Sequence, residues 1–299
     1  MSFQDYLKNR QSAFNMMTDS LKKELNPETR KSDDDRLWKP QMGQDGTGYA
    51  VIRFLPGTNP DKTPWVKLYE HGFQGPTGKW YIENSLTTLG QKDPVSEYNT
   101  KLWNSGIEAN KEIARKQKRR TSYLANVFVI KDPANPSAEG KVKVFKFGQK
   151  IFDKIMAALQ PEFEGDDPLN PFDLLEGANF RIKLKMVAGY WNYDASDFER
   201  SSPLAQDESK LEMIFNSQCD IHEYIAPAKF KSYDELSKKL NDVLGNNTGG
   251  DGGVAEVVSK PVAPAPKPSA PKPVTAADTS SSSDNEDEEL EQYFKSLAA

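Results

Sequence analysis

The sequence predicts a mainly β fold with helical insertions, and three observations lead there. Short β-rich runs, Tyr49–Leu55 (YAVIRFL), Trp65–Tyr69 (WVKLY) and Lys79–Glu83 (KWYIE), follow one another with Gly, Pro and Asn between them. Asn179–Ala188 (NFRIKLKMVA) alternates strictly, with Phe180, Ile182, Leu184 and Met186 on one face and Arg181, Lys183 and Lys185 on the other. After Gly245 the composition shifts to Gly, Pro, Ala, Ser and acid, which confines the packed region to roughly 200 residues. Five or more short strands with intervening helices in that length favour an antiparallel barrel or sandwich carrying helical insertions.

The elements follow in order. Phe3, Leu7, Phe14, Met17, Leu21 and Leu25 recur at helical spacing, interrupted at Arg10 and stopped by Pro27. Asn26–Gly48 is a charged connection, and the three short strands come next. Gly106–Lys118 is polar and helix-prone. Thr121–Ile130 (TSYLANVFVI) is a long strand ended by the turn-forming KDPANPSAEG, and Lys141–Phe147 (KVKVFKF) pairs with it as a hairpin. Lys150–Leu159 is helical with Pro161 beyond it, and two further helices are expected at Glu208–Ser217 and Ser232–Leu244. Asn246–Gly253 is rich in Gly and Asn, Lys260–Pro273 is a polyproline-like spacer, and SSSSDNEDEELEQYFKSLAA closes the chain.

Composition narrows the function. Of 299 residues 36% are hydrophobic, and a mean hydropathy of -0.73 is low for a chain packed throughout. No apolar run reaches the roughly 18–20 residues of a bilayer span, so no membrane partner is expected. The start, MSFQDYLKNRQ, lacks the pattern of a secretory signal. One cysteine, Cys219, excludes an internal disulfide framework and a thiolate-cluster metal site, and is read as a buried or incidental thiol. Two histidines, His71 and His222, and the absence of a phosphate-cradling glycine loop give catalysis little support.

Charge is unevenly spread. Lys111–Lys150 holds eleven basic residues against three acids, whereas Val274–Ala299 holds seven acids against Lys295 alone. A basic stretch with a distant acidic tail suits a polyanion binder whose own tail competes for the groove, although a charge run is also the ordinary composition of a solvated face.

Aromatic and basic side chains meet in three places. Lys118, Arg119 and Arg120 run into Thr121, Ser122 and Tyr123; Phe145, Lys146, Phe147, Lys150 and Phe152 interleave; and Tyr190, Trp191 and Tyr193 end the basic-faced strand. Single-stranded nucleic acid needs this mixture, with cations following the phosphates and flat rings on which bases stack. A ring in a strand is more often core than platform, and Phe145 and Phe152 are the most open to that objection.

Along most of the core the sequence resembles the single-stranded DNA-binding, helix-destabilising proteins of T-even-type bacteriophages. The resemblance is carried by YAVIRFLP (49–56), HGF (71–73), GKWYIE (78–83), KRRTSY (118–123), KDPANPSAEGKV (131–142), FGQKIFDKI (147–155), EGANF (176–180), NYDAS (192–196) and KFKSYDEL (229–236), over roughly residues 36 to 245. It implies an OB-fold core with a basic cleft for unpaired nucleotides, whose cations fall on Arg53, Lys118, Arg119, Arg120 and Lys146. The aromatic positions it implies are Tyr98, Tyr123, Phe145, Phe152, Tyr190 and Tyr193; Trp191 is added as their neighbour.

The organisation expected is an N-terminal helical arm for cooperative self-association (1–35), an OB-fold DNA-binding core (36–245), a Gly/Pro/Ala-rich linker (246–277) and an acidic protein-interaction tail (278–299). The tail residues are Asp284, Glu286, Asp287, Glu288, Glu289, Leu290, Glu291, Tyr293 and Phe294. The resemblance implies a non-enzymatic protein that coats single-stranded DNA, associates with itself head to tail, and recruits polymerase, helicase loader and recombination mediator in the cytoplasm of an infected bacterium. The alternatives are an RNA-binding OB-fold regulator or a protein-interaction hub.

The sequence departs from the family in two places. Its best-known members hold a structural zinc through one histidine and three cysteines. Here His71 stands at the histidine position, but Glu83–Tyr98 has no cysteine, and Ser85 and Ser96 stand where two thiolates would be. Neutral hydroxyls are poor zinc ligands, so no metal or other cofactor is expected, and packing around Trp80 and Tyr81 is expected to hold that region. At the N-terminus only Lys8, Arg10 and Ser12 echo the family's basic run, whereas KRRTS at 118–122 is intact.

Overall fold

The structure, a computed structural model, describes residues 34–43, 45–163, 165–187 and 189–246. Most of the expected arm and of the linker, and the whole tail, lie outside the described residues. Two compact units are distinguished, and the chain passes between them more than once. The first is built mainly of β-sheet, and the second joins shorter strands to several helices.

In the first unit (residues 34–64, 125–146 and 153–219) β2 (Thr47–Phe54) is the central strand. It pairs antiparallel with β5 (Arg120–Lys131) and with β7 (Phe180–Val187), which explains why its second half is buried on both faces. The expected hairpin forms: β6 (Val142–Gly148) lies beside β5, with Val129 donating to the Lys141 carbonyl and accepting from Gly140. β1 (Leu37–Trp38) adds to β6 in parallel, and Trp38 is fixed there by an indole N–H bond of 2.8 Å to Asp132.

The alternation in β7 holds for Phe180, Ile182 and Leu184, which are buried, but Met186 is 47% exposed. The reason is register. β2 accompanies β7 only as far as the Thr47–Lys185 pair, and Met186 is paired only on the other edge, where β8 (Tyr190–Asn192) sets Trp191 opposite it. β9 (Asp197–Phe198) flanks β7 at its other end, placing Asp197 beside Arg181.

The second unit (65–124, 147–152 and 220–246) centres on β3 (Trp65–Gln74), paired with β4 (Trp80–Asn84) and with β5. Three helices belong to it: α1 (Pro94–Asn104), α2 (Glu108–Gln117) and α5 (Tyr233–Leu244). α3 (Gln149–Leu159) begins in this unit and continues in the first, and α4 (Glu208–Asn216) lies in the first.

Caps explain where these helices start and stop. Ser232 and Glu235 form a capping box at α5, and Gly245, at φ 81°, closes it in the left-handed conformation. The periodicity of the sequence gives no helix at 94–104, yet the local signal is strong: Asp93 accepts from the N–H groups of Val95 and Ser96, and Pro94 sits at the first helical position. Phe73, Tyr81, Leu86, Val95, Leu236, Leu240 and Val243 form this unit's buried core. Gly75 allows the end of α5 to approach the β3–β4 turn, since a Cβ there would lie 2.3 Å from the Val243 carbonyl oxygen.

Candidate nucleic-acid interface

Each unit presents its own set of aromatic and basic side chains. In the second unit β3 alternates, so Trp65, Lys67 and Tyr69 share one face while Val66 and Leu68 are buried. Phe152 of α3 meets Trp65 edge-on at 5.6 Å between centroids and stacks on Tyr123 at 3.9 Å. Tyr123 also donates its hydroxyl to Gln149 at 3.0 Å and is 3% exposed.

The KRRTS segment opens β5 beside β3. Arg120 donates to the Gly72 carbonyl at 3.2 Å, and the Ser122 hydroxyl to Glu70 at 2.8 Å. The Arg119 guanidinium lies 3.9 Å from the Tyr69 ring centroid and donates to Thr87 Oγ1 at 2.8 Å. Lys118 and Lys150 are exposed.

In the first unit, Tyr49 lies opposite Lys183, and Thr47 opposite Lys185, on the outward face of β2 and β7. Tyr190, 79% exposed, and Trp191, 41% exposed, extend from β8. Tyr193 is half-buried, and burial raises its hydroxyl pKa. The basic face is partly neutralised: Asp197 binds Arg181 through both carboxylate oxygens and approaches Lys183 Nζ at 3.1 Å. Burial alone would raise the Asp197 pKa, but hydrogen bonds from Arg181 and Lys183 outweigh it and hold the carboxyl below its ordinary value.

Of the residues expected in a cleft, Arg53, Phe145 and Tyr123 are placed in the interior, and Tyr98 is half-buried. Arg53 is 0% exposed, and its guanidinium bonds Asn179 Oδ1 (3.1 Å), the Asp173 carbonyl (3.2 Å) and the Ser202 carbonyl (2.9 Å). That is a strut between β2 and two loops. Phe145 is 1% exposed and packs edge-on to Trp38 at 5.2 Å. Tyr98, on α1, packs against the Phe73–Tyr81 cluster and against the cluster of Leu102, Trp103 and Ala114. Lys146 is exposed between buried Phe145 and Phe147. The tail residues lie outside the described region.

Tyr69, Lys67, Tyr49, Lys183 and Lys185 were not among the site residues expected from sequence. The signal was present, since WVKLY sets Lys67 two positions from Tyr69 and NFRIKLK places cations at alternate positions. What was missing was the partner across the sheet, Arg119 for Tyr69 and Lys183 for Tyr49, which only strand pairing supplies.

At the position of the family's zinc the donors do not suit that ion. Asp93, buried, accepts from the N–H groups of Val95 and Ser96 on Oδ1 and of Leu86 on Oδ2, so its lone pairs are engaged. His71 Nε2 lies 3.1 Å from Asp93 Oδ1, and Nδ1 faces the Gln117 carbonyl at 3.3 Å. Ser85 caps the 3₁₀ turn Leu86–Leu89, and Ser96 is a neutral hydroxyl. A closed four-coordinate zinc site needs deprotonated thiolate, free imidazole or free carboxylate donors. Tyr81 joins the buried core of this region as expected, but Trp80 does not: β4 turns it outward, 56% exposed. Cys219 is half-buried, and its backbone N–H and carbonyl bond the Asn126 side chain.

The family model described as gp32 DNA binding protein like matches residues 46–244. The chain is 44% identical over 236 residues to the single-stranded DNA-binding protein of Enterobacteria phage T2, spanning 77% of this chain and 76% of that one. It is 43% identical over 236 residues to the single-stranded DNA-binding protein of Enterobacteria phage T4, with the same coverage. A shorter match, 45% over 96 residues and 31% of this chain, is to the single-stranded DNA-binding protein of Enterobacteria phage RB70, of which it spans 78%. With these matches joined to a β-sheet core carrying cations beside rings, the chain belongs to the gp32-like family of DNA-binding proteins.

Proposed function

We propose that this protein binds single-stranded DNA without sequence preference, as a non-enzymatic coat on an OB-fold core. The observation that carries the reading is the placing of rings beside cations, half-buried Tyr69 with Arg119 and Lys67, and exposed Tyr49 and Tyr190 beside the Lys183–Lys185 strand. Exposed rings such as Tyr49 and Tyr190 contribute about 1–3 kcal/mol per stacked base. The names of the phage relatives support the same reading.

Bound in this way, the protein keeps DNA unpaired by mass action, because it prefers the single strand. It serves DNA replication, recombination and repair in the infected host's cytoplasm. Residues 1–35 mediate head-to-tail association, and residues 278–299 recruit polymerase, helicase loader and recombination mediator. No metal is needed, because the Asp93 node supplies the local order.

Intrinsic fluorescence titration with oligo(dT) at several salt concentrations tests the reading. Quenching whose affinity falls steeply with salt, at a slope near -0.7 per phosphate contacted, is expected. Absence of salt-dependent binding would overturn it. Stacking and phosphate contacts do not read the 2′-hydroxyl, so an oligo(U) competitor separates a DNA coat from an RNA-binding regulator.

A further inference from the structure

Tyr69, half-buried, stands on the same face of β3 as exposed Lys67 in a setting that does more than pack it. The Arg119 guanidinium carbon is 3.9 Å from the ring centroid, within van der Waals reach of the ring face, and Lys67 Nζ is 5.1 Å from the same centroid. The ring itself is fixed through its backbone. Its N–H bonds Thr88 Oγ1 at 2.9 Å, and its carbonyl accepts from the Ser85 N–H at 2.8 Å.

Both partners belong to or border the 3₁₀ turn Leu86–Leu89, whose Thr87 hydroxyl receives one Arg119 N–H at 2.8 Å. The turn and its cap therefore fix the Tyr69 backbone through Thr88 and Ser85, and the edge of the cation through Thr87.

A free arginine side chain carries about 2 kcal/mol of rotamer entropy, part of which is lost on capturing a phosphate. An arginine laid on a ring and tied along one edge has already lost it. The ring's negative face also lets a second cation, Lys67, approach the first at reduced electrostatic cost.

We infer that Tyr69 is a positioning residue of the DNA-binding surface: it holds Arg119 flat and pre-ordered for one backbone phosphate of the bound strand. This rests on the single-stranded-DNA reading above and names a residue, with its mechanism, that the reading does not require. Tyr69 acts through Arg119, so its removal should weaken the hold on a phosphate and leave base stacking as it was.

The test uses the full chain and labelled oligo(dT), with affinity measured across a salt series. Y69L should bind roughly three- to tenfold more weakly, the range a cation–π pairing supplies. Its salt slope should be shallower by about 0.7, the signature of one phosphate no longer neutralised. Y69F, which keeps the ring, should match wild type in both. R119A should lose at least as much as Y69L, and Y69L/R119A should be no weaker than R119A alone. R119K keeps the charge without the planar group and should lose about as much as Y69L, which keeps the inference testable if Y69L folds poorly.

Y69L with unchanged slope, Y69F as weak as Y69L, additive losses in the double variant, or R119K equal to wild type would each overturn it. A wild-type chain without salt-dependent affinity would instead overturn the DNA-binding reading on which it stands.

Discussion

The rings of Tyr123 and Phe152 lie face to face, 3.9 Å between centroids and 2° from parallel. Phe147 lies 5.9 Å from Tyr123 at 19°. The tyrosine that follows the KRRTS run is thus part of an internal stack in this structure, and its hydroxyl is bonded to Gln149.

Tyr123→Ala should therefore act first on stability. Removing a buried ring costs about 3 kcal/mol, and urea denaturation should show a lower midpoint with the slope unchanged. An unaltered midpoint together with weakened DNA affinity would mean that the stack opens to admit a base.

Tyr190→Ala should behave in the opposite way. At 79% exposure the ring contributes little to the fold, so the melting temperature should stay within a degree or two. Oligo(dT) affinity should fall about 5- to 100-fold, the span of one stacked base.

Asp197 tests the electrostatics. It neutralises Arg181 and Lys183, so Asp197→Asn should raise affinity for oligo(dT) by about threefold at low salt and steepen the salt dependence. If the pair instead stays closed over DNA, titrations of the variant and wild type will coincide.

Arg53→Met should be destabilising by about 3 kcal/mol, because it strands the Asn179 oxygen and two carbonyls that the guanidinium now satisfies. Thermal unfolding would show this directly. The salt slope of DNA binding should not change, which separates a strut from a phosphate-binding cation.

Asp93 carries a pH and metal prediction. Burial alone would raise its pKa, but the hydrogen bond and charge of His71 and the N–H groups of Ser96 and Leu86 outweigh that and hold it below the usual carboxylate value. A depressed carboxyl stabilises fully above its unfolded pKa, about 3.9, and that contribution is lost as pH falls through the folded value. Asp93→Asn should remove this acid-dependent part of the unfolding profile. Treatment of the wild type with a chelator should leave its melting temperature unchanged, and a large drop would show that a metal is bound after all.

The sequence alone determines the order and type of most elements, because their signals are local. The Ser232–Glu235 capping box and Gly245 bound α5 within a few residues, and β7 declares its two faces through alternation. The helix at Pro94–Asn104 is legible in its Asp-Pro start, although its apolar spacing is too weak to announce it. The cationic, aromatic chemistry of the surface is legible too.

Which rings and cations face outward was decided only by tertiary structure. Arg53 reaches Asn179 across 126 positions of sequence, and no local pattern announces that partner. Arg181 and Lys183 read as free cations until β9 brings Asp197 beside them. Tyr69 reads as an ordinary strand tyrosine until the turn at Leu86–Leu89 and the start of β5 set Thr87 and Arg119 against it. Propensity and capping depend on neighbours along the chain, whereas burial and ion pairing depend on neighbours in space. A binding surface is defined by the second kind.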